Sequence, residues 1–254
     1  LSIQLAQSVS WTPLLISVSE MQQRLLQQFS RLRCFKSLRS FDMSYISANI
    51  KLKCWGDPRC SKERHACFRV IVSSCKYPTI VRRRFRLLSK CLDSLVGKYM
   101  PGFFKFSLKD APAKFMDLAS RLTVGSSCKV CGDDLSSSSL ILGDVVNMFE
   151  SVKASDAIAS VQFLLQLARD SGAKCTLIPL QKVDRSGRRL AAFTSMVPHA
   201  QKLGYGRLDF DEVEELCCLY VQTAVATLGP CVWQQCGLPI GGVASCALAN
   251  VTLS

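Results

Sequence analysis

An α+β fold is predicted for this 254-residue chain by three observations. Apolar residues recur at helical spacing in several separate stretches. An apolar run at residues 140–146 has the length and content of a buried strand. Two strand-like stretches, 175–183 and 189–196, are joined by Asp184, Arg185, Ser186 and Gly187, a hairpin signal.

Residues 19–38 read as a basic amphipathic helix. Met21, Leu25, Leu26, Phe29, Leu32 and Phe35 fall at helical spacing, with Arg24, Arg31, Arg33 and Lys36 around them. Residues 50–76, rich in Cys and charge, read as irregular. A second basic helix runs from Arg82, Arg83 and Arg84 through Arg86 and Lys90 to about Tyr99, where Pro101 and Gly102 break it. Residues 103–108 alternate as a strand, 111–122 suit a short helix, and 125–139 suit a turn-rich loop. The strand at 140–146 follows. Ser155 is placed to cap a helix whose inward face is Ile158, Val161, Leu165 and Ala168, closed by Gly172. After the hairpin, Asp209 or Asp211 starts a longer helix over about 211–228. Val213, Leu216, Cys217, Tyr220, Val221 and Ala224 share one of its faces, and Gly229 and Pro230 end it. A short strand at 231–235 leads into a glycine turn and a closing helix at 243–253.

Net charge is +13, and it is unevenly placed. Residues 1–110 hold 20 Lys and Arg against 6 Asp and Glu, a net of +14; residues 111–254 hold 12 against 13, a net of −1. A polyanion lying against the first part is the natural partner, nucleic acid before an acidic membrane face. No stretch reaches about 18 consecutive apolar residues, so no membrane span is expected. The 14 cysteines, with no basic leader before the apolar content of residues 1–18, point to reduced and mostly buried thiols in an intracellular protein. A chain that begins at Leu1 and stops at Ser254 inside an apolar helical pattern is expected to be a fragment.

Two segments carry chemistry. Asp144 stands near the C-terminal end of an apolar strand, where a carboxylate is costly unless it binds something. Magnesium, which takes hard oxygen ligands and keeps positions open for phosphates, is a suitable partner. Phe149 follows five residues later. Taken alone, the same residues fit a strand-end Asp capping a turn and a Phe in the core. The second segment runs Trp233, Gln234, Gln235, Cys236, Gly237, Leu238, Pro239, Ile240, Gly241, Gly242 and ends in Ala249 and Asn250. Glycines permit close approaches, Pro239 stiffens the turn, and the following helix starts with free amides. An ordinary strand–turn–helix with packing glycines fits it as well.

In this order the two segments resemble motifs A and B of reverse transcriptases, with the nearest likeness to the Penelope-like retroelements. The residues that carry it are Asp144, Val145, Val146 and Phe149 in the first, and Trp233, Gln235, Gly237, Gly241, Ala249 and Asn250 in the second. The Gly–x–Pro–x–Gly–Gly pattern is shared with group II intron-type reverse transcriptases. The resemblance covers residues 139–254 and implies a right-hand polymerase fingers and palm fragment, with an incomplete antiparallel palm sheet backed by helices. Residues 1–138 become a basic N-terminal and fingers-like region, and 139–254 a partial palm. It further implies two magnesium ions held by Asp144 with help from the Val145 carbonyl, and Phe149 as the gate that separates deoxyribose from ribose. Gln235, Gly237, Pro239, Gly241 and Gly242 would border the incoming nucleotide. Implied partners are an RNA template, a DNA primer and deoxynucleoside triphosphates, with a nuclear location. The family's later Asp–Asp pair is absent from residues 1–254, so this piece alone is expected to be inactive. The rival reading is a non-catalytic nucleic-acid-binding protein that keeps the fold.

Other features fit plainer readings. Gly132, Asp133 and Asp134 resemble an acid pair but suit a polar turn. Cys128 and Cys131 have half a zinc site's spacing, with Cys54, Cys60, His65 and Cys67 as further candidates, yet buried or loop thiols fit better. Arg82, Arg83, Arg84 and Arg86 are candidate phosphate contacts, or one solvated helix face. Lys105, Lys109 and Arg121 are candidate fingers residues.

Overall fold

The computed structural model describes residues 11–50, 68–100, 116, 120, 148–180, 192–194, 204–239 and 241–254. One compact unit comprises Leu1–Met100 and Asn147–Ser254. Pro101–Val146 form a second unit, of which Met116 and Ser120 are described, both helical. The expected strands at 103–108 and 140–146, Asp144, Val145 and the cysteine pair Cys128 and Cys131 lie outside the described residues. So do the rest of the helix at 111–122, Lys105, Lys109 and Arg121.

The first unit is mixed α and β. Its larger sheet has the order β1-β8-β7-β2-β3, built from β1 (Trp11–Leu14), β2 (Ser44–Ile50), β3 (Phe68–Ser73), β7 (Val225–Leu228) and β8 (Cys231–Gln235). A smaller sheet has the order β5-β4-β6, from β4 (Cys175–Pro179), β5 (Ala192–Thr194) and β6 (Tyr205–Asp209). The helices are α1 (Val18–Ser30), α2 (Thr79–Tyr99), the short α3 (Met148–Ser151), α4 (Ala154–Asp170), α5 (Phe210–Gln222) and α6 (Ser245–Leu253).

The larger sheet corrects the expectation of an antiparallel one. Strand β2 runs parallel to β7, with Ser44 opposite Ala226 and Tyr45 opposite Thr227, while the other pairings are antiparallel. Strands from both halves of the chain therefore share one sheet. Trp11, Ile46, Val72, Ala226 and Trp233 form its apolar cluster. Pro13 sits in β1, an edge strand, where a missing amide donor is tolerated.

The longer helix expected over 211–228 ends at Gln222. Thr223 Oγ1 donates to the Leu219 carbonyl over 2.6 Å, and the Val225 amide then bonds the Thr223 carbonyl at 2.7 Å, which turns the chain out of the helix. The β-branched Val225 and Thr227 continue as strand β7. Gly229, at φ +59°, and Pro230 are the two central residues of the β7–β8 hairpin. A positive φ followed by proline's fixed negative φ gives the signs of a type II′ turn.

Other boundaries shift for local reasons. Helix α1 stops at Ser30, and a 3-10 turn at Arg33–Phe35 replaces its expected last part. Its cap is Ser17, whose hydroxyl accepts the Glu20 amide at 3.2 Å. Helix α4 is capped by the backbone of Lys153; the Ser155 hydroxyl instead bonds Asp156. Gly172, at φ +83°, closes α4 as expected, with the Ala173 amide on the Ala168 carbonyl at 3.1 Å. Within the stretch expected to be irregular, 50–76, described residues pair as strands, Ser73 to Phe68 with Tyr45 to Ile50. The two strands at 175–196 do pair, Cys175 opposite Thr194. Strand β6, on the other side of β4, had no strong sequence signal.

Helix α2 is the centre of the helical layer and packs against α4, α5 and α6. Val81, Phe85, Leu88, Cys91, Leu92 and Leu95 are fully buried on its inner face. Phe85 joins two ring groups: its centroid is 6.0 Å from Phe29, which also meets Phe35 and Phe41, and 4.9 Å from Tyr220. The described cysteines are free thiols, as expected, but Cys75, Cys231, Cys236 and Cys246 are exposed, against the expectation of mostly buried ones. No described helix is long and apolar enough to cross a membrane.

Candidate functional site

The glycine turn lies between β8 and α6, and each described part of it is fixed by a neighbour. The Leu238 amide donates to the Phe149 carbonyl at 2.7 Å, and the Leu238 carbonyl accepts Gln235 Nε2 at 3.0 Å. The Pro239 carbonyl accepts the Gly242 amide at 2.9 Å and the Ser245 hydroxyl at 2.6 Å. Tyr220 completes the clamp. Its hydroxyl accepts the Ala244 amide at 3.2 Å and lies 2.8 Å from Ser245 Oγ. Because the Ser245 proton goes to Pro239, the Tyr220 hydroxyl must donate to Ser245. One directed chain results, from Ala244 through Tyr220 and Ser245 to Pro239. Burial pushes the Tyr220 phenol well above its ordinary pKa, so it keeps the proton this chain needs.

The three glycines are required by close approaches. A Cβ at Gly237 would lie 2.5 Å from the Phe149 carbonyl oxygen and 2.7 Å from that of Glu150. A Cβ at Gly241, already at φ +88°, would lie 2.8 Å from Ile71 Cγ2 and 2.9 Å from the Val72 carbonyl oxygen. One at Gly242 would run into the Tyr220 hydroxyl and Ser245 Oγ. The turn thus touches α3, β3 and α5 at once.

The other expected site residues fall as follows. Phe149 is half-buried in α3. Gln235 is buried, and its amide nitrogen braces the turn from within; its Oε1 has no hydrogen-bond partner. A cavity of about 20 Å³ between Tyr220, Gln235, Pro239 and Gly242 has room for about one water, far less than a nucleotide. Asp144 and Val145 lie outside the described residues. Among the described residues no group of three or more His, Cys, Asp or Glu is placed to hold a metal ion.

The arginine run divides between interior and surface. Arg84 Nη1 lies 3.1 Å from Glu212 Oε1, an ion pair by distance whose angle falls short of a hydrogen bond, and 3.4 Å from the Arg207 carbonyl. Arg82 is half-buried, its Nε without a partner. Arg83 and Arg86 are exposed. Burial of Glu212 raises its carboxyl pKa, an effect that Arg84 opposes.

Sequence reasoning missed Tyr220 and Ser245 as the clamp. The signal was present: a tyrosine on a buried helix face needs a partner for its hydroxyl, and Ser245 is the polar first residue of a mostly apolar helix. No protein-family model matches the chain, and no curated protein matches it.

Proposed function

We propose that this chain is part of an RNA-directed DNA polymerase of a retroelement, comprising fingers and part of a palm. The observation that carries the reading is the bond between the Leu238 amide and the Phe149 carbonyl, with Gly237 against residues 149 and 150. It joins the end of the Asp144–Phe149 segment to the glycine turn, two segments far apart in sequence that a palm brings to one nucleotide. The clamp through Tyr220 and Ser245 supports it, because a turn held on three sides presents a fixed surface to a substrate.

In this reading Asp144 and the Val145 carbonyl would hold magnesium, which would stabilise charge on the primer 3′-hydroxyl oxygen that attacks the α-phosphate and on the pyrophosphate oxygen that leaves. The Phe149 ring limits space at the sugar, and the turn supports the base pair. A second reading is favoured by the exposed arginines of α2: a nucleic-acid-binding protein without catalysis.

The test is primer extension by the reading frame continued past Ser254, on an RNA template with a DNA primer. Magnesium-dependent incorporation that Asp144→Asn abolishes is expected. A continuation without a carboxylate pair, or no incorporation at all, would overturn the polymerase reading in favour of the second; incorporation indifferent to Asp144→Asn would remove Asp144 from it.

A further inference from the structure

We propose that the outer face of α2 binds the phosphate backbone of a single-stranded nucleic acid through Arg83, Arg86 and Lys90. The proposal rests on the reading of the chain as a nucleic-acid-handling protein and locates one contact surface, distinct in its residues from the glycine turn.

The division of the arginine run carries the argument. Arg84 is committed to Glu212 and Arg82 has its Nε buried, so both belong to the packing of α2. Arg83, Arg86 and Lys90 serve no such purpose. They stand at spacings of three and four residues, on one face, and are exposed. Together they extend along about 10 Å of helix. That length suits successive phosphates better than one small anion.

The surface is concave. Arg83, Arg86, Lys90, Leu87 and Leu180 enclose an open cleft of about 300 Å³. Its floor is firm. Leu87 and Leu180 close over β6 so tightly that a Cβ at Gly206 would lie 2.9 Å from one and 3.0 Å from the other. An apolar floor beneath a row of cations offers a sugar or base face something to lie on while the phosphates meet charge.

The cations are available. Neither Arg83 nor Arg86 forms an ion pair among the described residues. Lys90 Nζ gives one hydrogen bond to the Pro179 carbonyl at 3.3 Å, which anchors it at the rim and leaves two N–H donors. Like charges three residues apart on a helix repel, and a polyanion removes that repulsion.

The test measures binding of a labelled single-stranded RNA of about 20 nucleotides to the whole chain over a salt series. The variant is Arg83→Gln, Arg86→Gln, Lys90→Gln together. Its control removes the same charge from exposed Arg31, Lys36 and Arg39, each changed to Gln. Each phosphate contact on a single strand contributes about 0.7 to the slope of log affinity against log salt, so the α2 variant should lower the slope by about 2. The control should change it by less than half as much. Arg83→Lys with Arg86→Lys should keep the slope, and serves if the triple variant fails to fold. Equal effects of the two triple variants would show a diffuse charge effect and overturn the proposal. So would inorganic phosphate that displaces the RNA mole for mole, a preference for phosphatidylserine vesicles, or a preference for duplex over single strands. A slope that falls while the continued reading frame fails to polymerise sinks only the polymerase reading. A slope that stays while it polymerises sinks only this surface.

Discussion

The Leu238 amide and the Phe149 carbonyl meet at 2.7 Å, and Gly237 lies close enough to the same backbone that no side chain fits between them. Two segments nearly ninety residues apart in sequence are therefore held in register by one hydrogen bond and one missing Cβ. Whatever Phe149 does, it does beside the glycine turn.

Gly237→Ala should break this contact. The added methyl meets two backbone carbonyls, which cannot move aside as a side chain would. Such overpacking costs about 1–3 kcal/mol. Urea denaturation should show the lower midpoint, and an unchanged midpoint would mean the approach is looser than described.

Tyr220→Phe should cost about 1–3 kcal/mol, because the buried Ala244 amide loses its acceptor and Ser245 its donor. Ser245→Ala acts on the same chain of hydrogen bonds. The double variant should therefore cost less than the sum of the two single ones by at least about 0.5 kcal/mol. Strict additivity in denaturation midpoints would show that the two hydroxyls act separately.

Phe85→Ala should be severe, about 3–5 kcal/mol. Its ring is fully buried and bridges Phe29 to Tyr220. Thermal unfolding checks the magnitude. Near-ultraviolet circular dichroism should also report the loss of fixed tyrosine packing.

Glu212 gives a pH dependence of defined sign. Burial holds its folded pKa above the ordinary 4.5, so the folded chain binds this proton more tightly than the unfolded chain. Its contribution to stability is full below about pH 4.5 and declines as pH rises through the folded value. Glu212→Gln cannot titrate. Its stability should therefore fall less steeply than wild type as pH rises above that range, in parallel urea titrations. Identical slopes would remove the carboxyl from the account.

Helices with a clean apolar stripe were legible: α2 and α4 lie where their spacing put them, and Gly172 closes α4. Boundaries set by a single turn were less so. Val221 and Ala224 fit the face of α5, and only the bonds at Thr223 show that the helix has ended before Val225. Strands β1 and β6 are short, while β2 is the longest described, and the pairing of all three comes from segments that no local pattern records. The glycines at 237, 241 and 242 were recognised as places of close approach. Their partners, Phe149, Val72 and Tyr220, could not be read from spacing, since each comes from a different element. Arg82, Arg83, Arg84 and Arg86 read as one basic run, but helical geometry turns Arg84 toward Glu212 and leaves Arg83 and Arg86 outside.

The reading proposed above has Asp144 as the ligand of a divalent ion. Manganese in place of magnesium, added below stoichiometry to the isotope-labelled chain, tests it by paramagnetic broadening of amide resonances. The proposal predicts selective broadening at Phe149, five residues from Asp144 in sequence, that disappears in Asp144→Asn. Broadening that avoids the Phe149 amide, or that survives the substitution, would contradict it.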